Sequence, residues 1–77
     1  MTTLERLKVI FKNVKPNIDV ENITVDTRLL EDLGVDSLSL MLLAMCIEDE
    51  FKFQFDTITN PFKTVGDVVN YIDQKIQ

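Results

Sequence analysis

Apolar residues recur at helical spacing in three segments of this 77-residue chain, and that pattern constrains the fold more than any other feature. The segments lie near residues 3–14, 37–51 and 65–76, and in each the apolar positions return every three or four residues, as on one face of a helix. The stripes are Leu4, Leu7, Ile10, Phe11 and Val14; Leu40, Leu43, Ala44, Ile47 and Phe51; and Val65, Val68, Val69, Ile72 and Ile76. The sequence therefore predicts three main helices.

Residues suited to helix ends flank these segments. Thr2 with Glu5 forms a capping box, in which each side chain accepts a hydrogen bond from a free backbone N–H of the other residue. Asp36 and Thr64 are predicted to cap the second and third segments. Gly34 suits a left-handed turn just before the second segment.

The connections complete the predicted fold. Residues 17–35 are expected to form a long first loop, pinned onto the core, with one short helical turn near Val20. Phe51, Phe53 and Phe55 alternate with polar residues but have no partner strand, so an extended connector with buried Phe side chains is expected. A short helix is predicted near residues 57–62.

The fold class is all-α: a small four-helix bundle of three main helices and one short one, formed by a single domain over residues 1–77. The residues expected to be mostly buried are Leu7, Phe11, Leu29, Leu43, Ile47, Phe51, Val68 and Ile72.

The composition of the chain argues against several classes of function. The chain has no histidine, the commonest general base and a common metal ligand, so an independent enzyme or a metal site is not expected. Cys46 is the only cysteine and is expected to be a buried or half-buried hydrophobe. No apolar stretch approaches the roughly 20 residues that span a bilayer, and no cleavable signal pattern is present, so a soluble cytoplasmic protein is expected.

Charge is distributed unevenly along the chain. Residues 19–50 contain nine acids and one base, Arg28, for a net charge of −8, whereas the remaining residues carry +3. Such a field repels nucleic acid and anionic membranes and attracts basic partners, although it also fits ordinary solubilising charge. Neither nucleic-acid binding nor membrane insertion is expected.

The run from Leu30 to Leu40 contains the most informative residues. It places Ser37 in the first turn of a helix, after a glycine turn and a capping aspartate, where the hydroxyl is expected to be exposed. By itself, such a serine is more often simply a helix-start residue than a modified one.

The segment Glu31–Leu38 resembles the attachment motif of the phosphopantetheine carrier proteins, and it is most similar to the acyl carrier proteins of fatty acid and polyketide synthesis. The resemblance extends over the whole chain, in length, acidity and helix order. It implies that 4'-phosphopantetheine is attached to Ser37 by a separate transferase that uses coenzyme A and Mg²⁺, and that Asp36 and Leu38 are the flanking positions this transferase reads. It also implies a monomeric carrier of thioester-bound acyl groups that performs no catalysis.

The second helix carries a further apolar stripe beside Ser37. Leu38, Met41, Leu42 and Met45 follow helical spacing and continue into Glu48 and Asp49, which together predict a partner-binding face. The alternative is that Met41 and Met45 fill core gaps. Acyl carriers commonly have acids two and five residues after the attachment serine; this chain has Ser39 and Leu42, which predicts selective binding to partner enzymes.

Alternative functions remain open from the sequence. A peptidyl or D-alanyl carrier would share the fold and the arm, and an unmodified acidic helical interaction module would need neither. The family resemblance also implies that a carried acyl chain can retract between the helices. The residues expected to line or gate that space are Leu29, Leu30, Met41, Ile47, Phe62 and Tyr71.

Overall fold

Helices account for most of the protein, as the spacing predicts. A computed structural model describes residues 2–55 and 62–76. Along this part of the chain the order is α1 (Thr3–Val14), a 3₁₀ turn (Val20–Asn22), α2 (Leu29–Leu33), α3 (Ser37–Phe51) and α4 (Val65–Ile76). The three main helices, the turn near Val20 and the all-α class are thus confirmed. The short helix predicted near 57–62 falls, apart from Phe62, outside the described residues.

Two of the main helices begin in reciprocal caps. Thr2 accepts the Glu5 N–H at 3.1 Å and donates its own N–H to the Glu5 carboxylate at 3.0 Å, so the predicted capping box is present. At α4, Thr64 accepts the Asp67 N–H at 3.2 Å, and the Asp67 carboxylate accepts the Thr64 N–H at 3.1 Å. These bonds satisfy N–H groups that have no partner within the helix.

The core lies where α1, α3 and α4 meet, and all eight residues predicted to be buried are buried. It also takes Ile10 and Val65 from the helices, Ile18 and Ile23 from the loop between α1 and α2, and Val35 from the turn between α2 and α3. Three expectations are wrong: Ile76 and Cys46 are exposed, and Phe53 and Phe55 are only half-buried. Ile76 lies in the last turn of α4 and Cys46 on the outward side of α3, beyond the reach of the core. Among the described helices, none has the length and apolarity needed to cross a bilayer.

Helix α2 is absent from the fold that the sequence predicts, in which residues 17–35 form a loop with one short helical turn near Val20. Five residues are too few for a helix to be stable by itself, so local contacts must hold it. The Asp32 carboxylate accepts the Arg28 backbone N–H at 2.8 Å and pairs with the Arg28 guanidinium at 3.2 Å. Leu29, on its inner face, is buried, whereas Leu30 and Val25 are exposed rather than pinned to the core.

The loop before α2 is fastened to the start of α4. The Leu29 N–H donates to the Lys63 carbonyl, and the Gly66 N–H donates to the Val25 carbonyl at 2.8 Å. A Cβ added to Gly66 would lie 2.9 Å from that carbonyl oxygen, closer than side chains tolerate, so this contact requires glycine. Two segments distant in the sequence are therefore held together at one end of the bundle.

Arg6 joins α1 to the last turn of α3. Its guanidinium donates to the Glu50 carboxylate at 3.0 Å and to the Glu50 carbonyl at 3.1 Å. The same group lies over the ring of Phe51, 4.1 Å from the ring centre, where a cation is attracted to the aromatic face. One side chain thus fixes the end of α3 against α1.

Replacing Arg6 should lower the free energy of unfolding. Arg6→Ala removes a partly exposed ion pair worth about 0–1 kcal/mol and a ring contact worth about 0.5–1 kcal/mol, so a loss of roughly 0.5–2 kcal/mol is expected. Arg6→Lys keeps the charge but not the paired geometry, and it should lose an intermediate amount. Urea titration monitored by circular dichroism measures both. Equal stability of all three proteins would contradict the interpretation.

Candidate functional site

A tight turn between α2 and α3 determines where the site begins. Gly34 has φ +68°, the left-handed conformation that the sequence predicted. The Val35 N–H donates to the Leu29 carbonyl at 2.8 Å, and Val35 is buried, which closes α2 and anchors the turn. Lys15, at the end of α1, donates from its Nζ to the Gly34 carbonyl at 3.2 Å. The turn is thus held from both sides.

Asp36 caps α3 and orients its first turn. Its carboxylate accepts the Ser39 N–H at 2.9 Å, as predicted for an N-cap. That backbone hydrogen bond, with smaller help from Lys15, lowers the pKa of Asp36 below its ordinary value. Ser37 is the first residue of α3 and is exposed, so its hydroxyl faces solvent on a backbone fixed from the preceding turn.

A groove of about 600 Å³ opens beside Ser37. Apolar side chains of α2, α3 and the segment before α4 form much of it, and charged side chains also line it. Its lining comprises Arg28, Leu29, Leu30, Glu31, Val35, Asp36, Ser37, Leu40, Phe62, Lys63 and Thr64. A second depression, of about 450 Å³, lies near the 3₁₀ turn, and Ser37 does not line it.

A smaller apolar pocket lies inside the bundle. It encloses about 10 Å³, and the described residues that line it are all apolar: Leu40, Leu43, Ala44, Ile47, Phe55, Phe62 and Val68. Such a volume is about one water-sized sphere, so the side chains nearly close it.

The residues expected to line an acyl space are divided between these features. Leu29, Leu30 and Phe62 line the groove, and Ile47 and Phe62 line the inner pocket. Met41 and Tyr71 line neither. Sequence reasoning missed Leu40, which borders both spaces, because its helical spacing assigned it to the core stripe. It also missed Lys63 and Thr64. These residues lie near Ser37 because hydrogen bonds hold the start of α4 against the segment that leads into α2.

The outer face of α3 is open to solvent. Leu38 is 69% exposed, Met41 55%, Leu42 50% and Met45 65%, so these side chains are not core filler. The predicted apolar surface therefore exists, and we call Leu38, Met41, Leu42 and Met45 the docking face. It begins beside Ser37, on the same helix.

The two acids at the far end of the docking face differ. Asp49 is exposed. Glu48 is half-buried, and its carboxylate accepts the Phe55 backbone N–H at 2.8 Å. The sequence predicted both as partner-binding acids, but one Glu48 oxygen already holds the chain that follows α3. Within residues 2–55 and 62–76, no group of three or more Cys, Asp or Glu could hold a metal ion.

The Asp36 cap should be visible in a pH titration. Because its pKa is lowered in the folded protein, the charged cap stabilises the fold above the unfolded-state pKa, and that contribution is lost as pH falls through the folded-state pKa. Asp36→Asn keeps an oxygen acceptor but does not titrate, so its stability relative to wild type should rise as the pH falls through this range. NMR titration of the Asp36 carboxyl and the Ser39 amide measures the folded-state pKa of this cap. An Asp36 carboxyl whose pKa is not lowered, or a Ser39 amide signal that does not change as that carboxyl titrates, would argue against the cap.

Comparisons with known proteins agree with this geometry. Residues 6–72 match the family described as "Phosphopantetheine attachment site". The chain is 42% identical over 74 residues to an acyl carrier protein of Phytoplasma australiense, covering 95% of this chain and 96% of that one. It is 38% identical to one of Clostridium perfringens (91% and 92% covered) and 40% identical to one of Thermotoga maritima (80% and 78% covered). The chain therefore belongs to the acyl carrier protein family, and its cofactor is phosphopantetheine, attached covalently.

Proposed function

We propose that this protein carries acyl groups on a phosphopantetheine arm attached to the Ser37 hydroxyl. The observation that supports the assignment is the position of Ser37: exposed, first in α3, and beside an apolar groove. The turn at Gly34 and the cap at Asp36 fix its backbone, so an enzyme that modifies the hydroxyl meets the same local shape each time. When bound, phosphopantetheine supplies a thiol that carries acyl groups as thioesters.

The residues around Ser37 fit a phosphodiester. Free N–H groups in the first turn of a helix, together with the helix dipole, favour a negative group there. Among these N–H groups, the Asp36 carboxylate accepts a hydrogen bond from that of Ser39. The earlier N–H groups of the turn have no partner within the helix. The groove beyond Ser37 has apolar walls of Leu29, Leu40 and Phe62, which suit an acyl chain.

We infer that the chain is a carrier and not an enzyme. Ser37 acts only as the acceptor of a group that a separate phosphopantetheinyl transferase supplies from coenzyme A. Asp36 and Leu38 flank it, both exposed, and we assign them to recognition by that transferase. The absence of histidine from the sequence supports this division of labour.

The partners are acyl-transferring and acyl-modifying enzymes of fatty acid, polyketide or related synthesis. They would bind the docking face of α3, with basic groups near Glu48 and Asp49 and an apolar pocket for the exposed side chains. Burying one leucine contributes roughly 1.5–3 kcal/mol before ordering costs, whereas an exposed ion pair contributes about 0–1 kcal/mol. Selectivity among enzymes would then come from apolar contact.

Substituting Ser37 tests the attachment site. The full chain, incubated with a phosphopantetheinyl transferase, coenzyme A and Mg²⁺, should gain the mass of one arm. Ser37→Ala should fold normally, because an exposed hydroxyl contributes little to stability, and should gain no mass. Ser39→Ala, two residues along the same helix, is the control and should be modified like wild type. Modification of the Ser37→Ala protein would show that another residue carries the arm, and an unmodified wild type would favour an interaction module.

Substituting Leu42 tests the docking face. Leu42→Glu should weaken binding to the cognate enzyme and improve reaction with general fatty acid synthesis enzymes, because it restores an acid where acyl carriers commonly have one. A loss of roughly 1.5–3 kcal/mol corresponds to about ten- to a hundredfold in the dissociation constant. Val9→Glu is the matched control, since Val9 is 52% exposed but lies on α1. Identical loading rates of wild type and Leu42→Glu by both enzyme sets would refute a selective apolar face.

A further inference from the structure

The first helix holds the positive charge of an otherwise acidic chain. Residues 1–18 contain four bases and one acid, whereas residues 51–77 contain three of each, so the positive excess outside residues 19–50 lies entirely around α1. Three of the four bases are Lys8, Lys12 and Lys15, which follow one another at spacings of four and three residues. Side chains at these spacings share one face of a helix, with neighbouring Cβ atoms about 5–6 Å apart. We call these three residues the lysine stripe.

Two of the three lysines have no partner in the fold. Among the residues that the structure describes, Lys8 and Lys12 make no hydrogen bond or ion pair. Glu5 lies one turn before Lys8, but its carboxylate accepts the Thr2 N–H instead. A helix dipole favours cations only in the last turn, which accounts for Lys12 and Lys15 but not for Lys8, in the middle of α1. The stripe is therefore available to an anionic partner.

The lysine stripe ends at the turn that positions Ser37. The Lys15 Nζ donates to the Gly34 carbonyl at 3.2 Å, and Gly34 is the left-handed residue at which this turn begins. Lys8 lies about 10 Å further back along α1, since a helix rises about 1.5 Å per residue. A protein that contacts the stripe is thus beside the Ser37 turn on the α1 side, whereas the docking face leads to Ser37 along α3.

The surroundings of the stripe favour a compact acidic partner over an extended polyanion. Asp19 and Asp32 line the same depression of about 450 Å³ that Lys15 lines. A membrane or a nucleic acid wide enough to cover the whole stripe would also approach these carboxylates, and it would be repelled within the Debye length of about 8 Å. A short row of carboxylates on a folded protein can contact the three lysines alone. A helix with acids at i, i+4 and i+7 presents such a row at the matching spacing.

We propose that the lysine stripe is a second docking surface, which binds an acidic helical face of an enzyme that acts on the arm at Ser37. The proposal rests on the carrier function proposed above and adds partners whose charge is opposite to that of the basic partners expected at α3. A second copy of this chain fits less well, because each copy carries a net charge of −5 and the two repel each other. Exposed ion pairs are weak and are screened by salt, so binding here is transient and depends strongly on salt concentration.

A helical peptide with glutamates at i, i+4 and i+7 tests the stripe, and the same peptide with glutamines is its uncharged counterpart. Each peptide is titrated into the isotopically labelled full-length protein with its arm, and amide shifts are followed by NMR. The glutamate peptide should shift the amides of residues 8–16 and of the Gly34 turn, with a dissociation constant that rises as salt is added. The glutamine peptide should not. A glutamate peptide that fails to bind, or that shifts only other amides, would overturn the proposal.

Replacing the two unpaired lysines tests which charges bind the peptide. The double variant Lys8→Gln, Lys12→Gln loses two exposed ion pairs, so it should bind the glutamate peptide roughly two- to thirtyfold more weakly than wild type. Lys52→Gln is the matched control, because Lys52 is exposed but lies at the end of α3, and it should bind like wild type. An unchanged affinity in the double variant, or an equal loss in Lys52→Gln, would contradict the assignment to α1.

The same variants connect the stripe to the chemistry of the arm. Acyl loading is measured at low salt with enzymes of the cognate pathway and of general fatty acid synthesis. For an enzyme that uses the stripe, the double variant should raise KM with little change in kcat, because the lysines contribute binding and take no part in the reaction. Lys52→Gln should leave both constants unchanged. If every enzyme of both sets loads the double variant with the wild-type KM, the stripe does not serve enzymes that act on the arm.

Other occupants of the stripe would give different results. Phosphatidylglycerol vesicles that bind wild type but not the double variant would assign the stripe to a lipid surface. Self-association of wild type that the double variant abolishes would assign it to a second copy of the chain. Either result would replace the proposal. A protein that gains no arm at Ser37 overturns the carrier function and this proposal with it, whereas an armed protein with unchanged peptide binding and loading in the double variant overturns this proposal alone.

Discussion

The left-handed turn at Gly34 determines the geometry on which the site depends. A Cβ at Gly34 would meet nothing closer than the Lys15 Nζ, 4.0 Å away, so there is space for a side chain. The restriction is the backbone angle of φ +68°, which L-residues other than glycine seldom adopt. Because the chain turns there, Val35 is buried and Asp36 reaches the start of α3 as its cap. The exposure of Ser37 follows from the turn and does not depend on the identity of its own side chain.

Helix α3 carries more apolar surface than the bundle can cover. One face supplies Leu43, Ala44, Ile47 and Phe51 to the core, and the docking face remains in solvent. A chain of this size buries only a modest share of its surface, so there is no second layer to place against that face. Exposed apolar side chains next to one another favour association and do not stabilise the monomer. The docking face therefore remains an exposed apolar surface on the same helix as Ser37.

Sequence reasoning predicted those parts of the structure that depend on neighbours in the chain. Helical spacing gave α1, α3 and α4 with their buried stripes, and the caps at Thr2, Asp36 and Thr64 follow from side chains three residues apart. Helix α2 was missed because its stability comes from the Arg28–Asp32 pair and from contact with the start of α4. The spacing of Leu29 and Leu33, with opposite charges four residues apart at Arg28 and Asp32, was the available signal. The groove and inner pocket could not be predicted, since segments far apart in the sequence form their walls.

The acids at the end of α3 show how a charge pattern can mislead about binding. Glu48, Asp49 and Glu50 form one acidic run in the sequence, which suggests a uniform electrostatic surface. In the folded protein Glu50 pairs with Arg6, and Glu48 holds the Phe55 N–H. Asp49 is exposed and makes no hydrogen bond or ion pair with the described residues. Carboxylates already engaged inside the fold have less to offer a basic partner, because a new ion pair must compete with an existing bond. Four exposed apolar side chains and one carboxylate without a described partner therefore remain on this side of α3, so binding through the proposed docking face should depend more on apolar contact than on salt concentration.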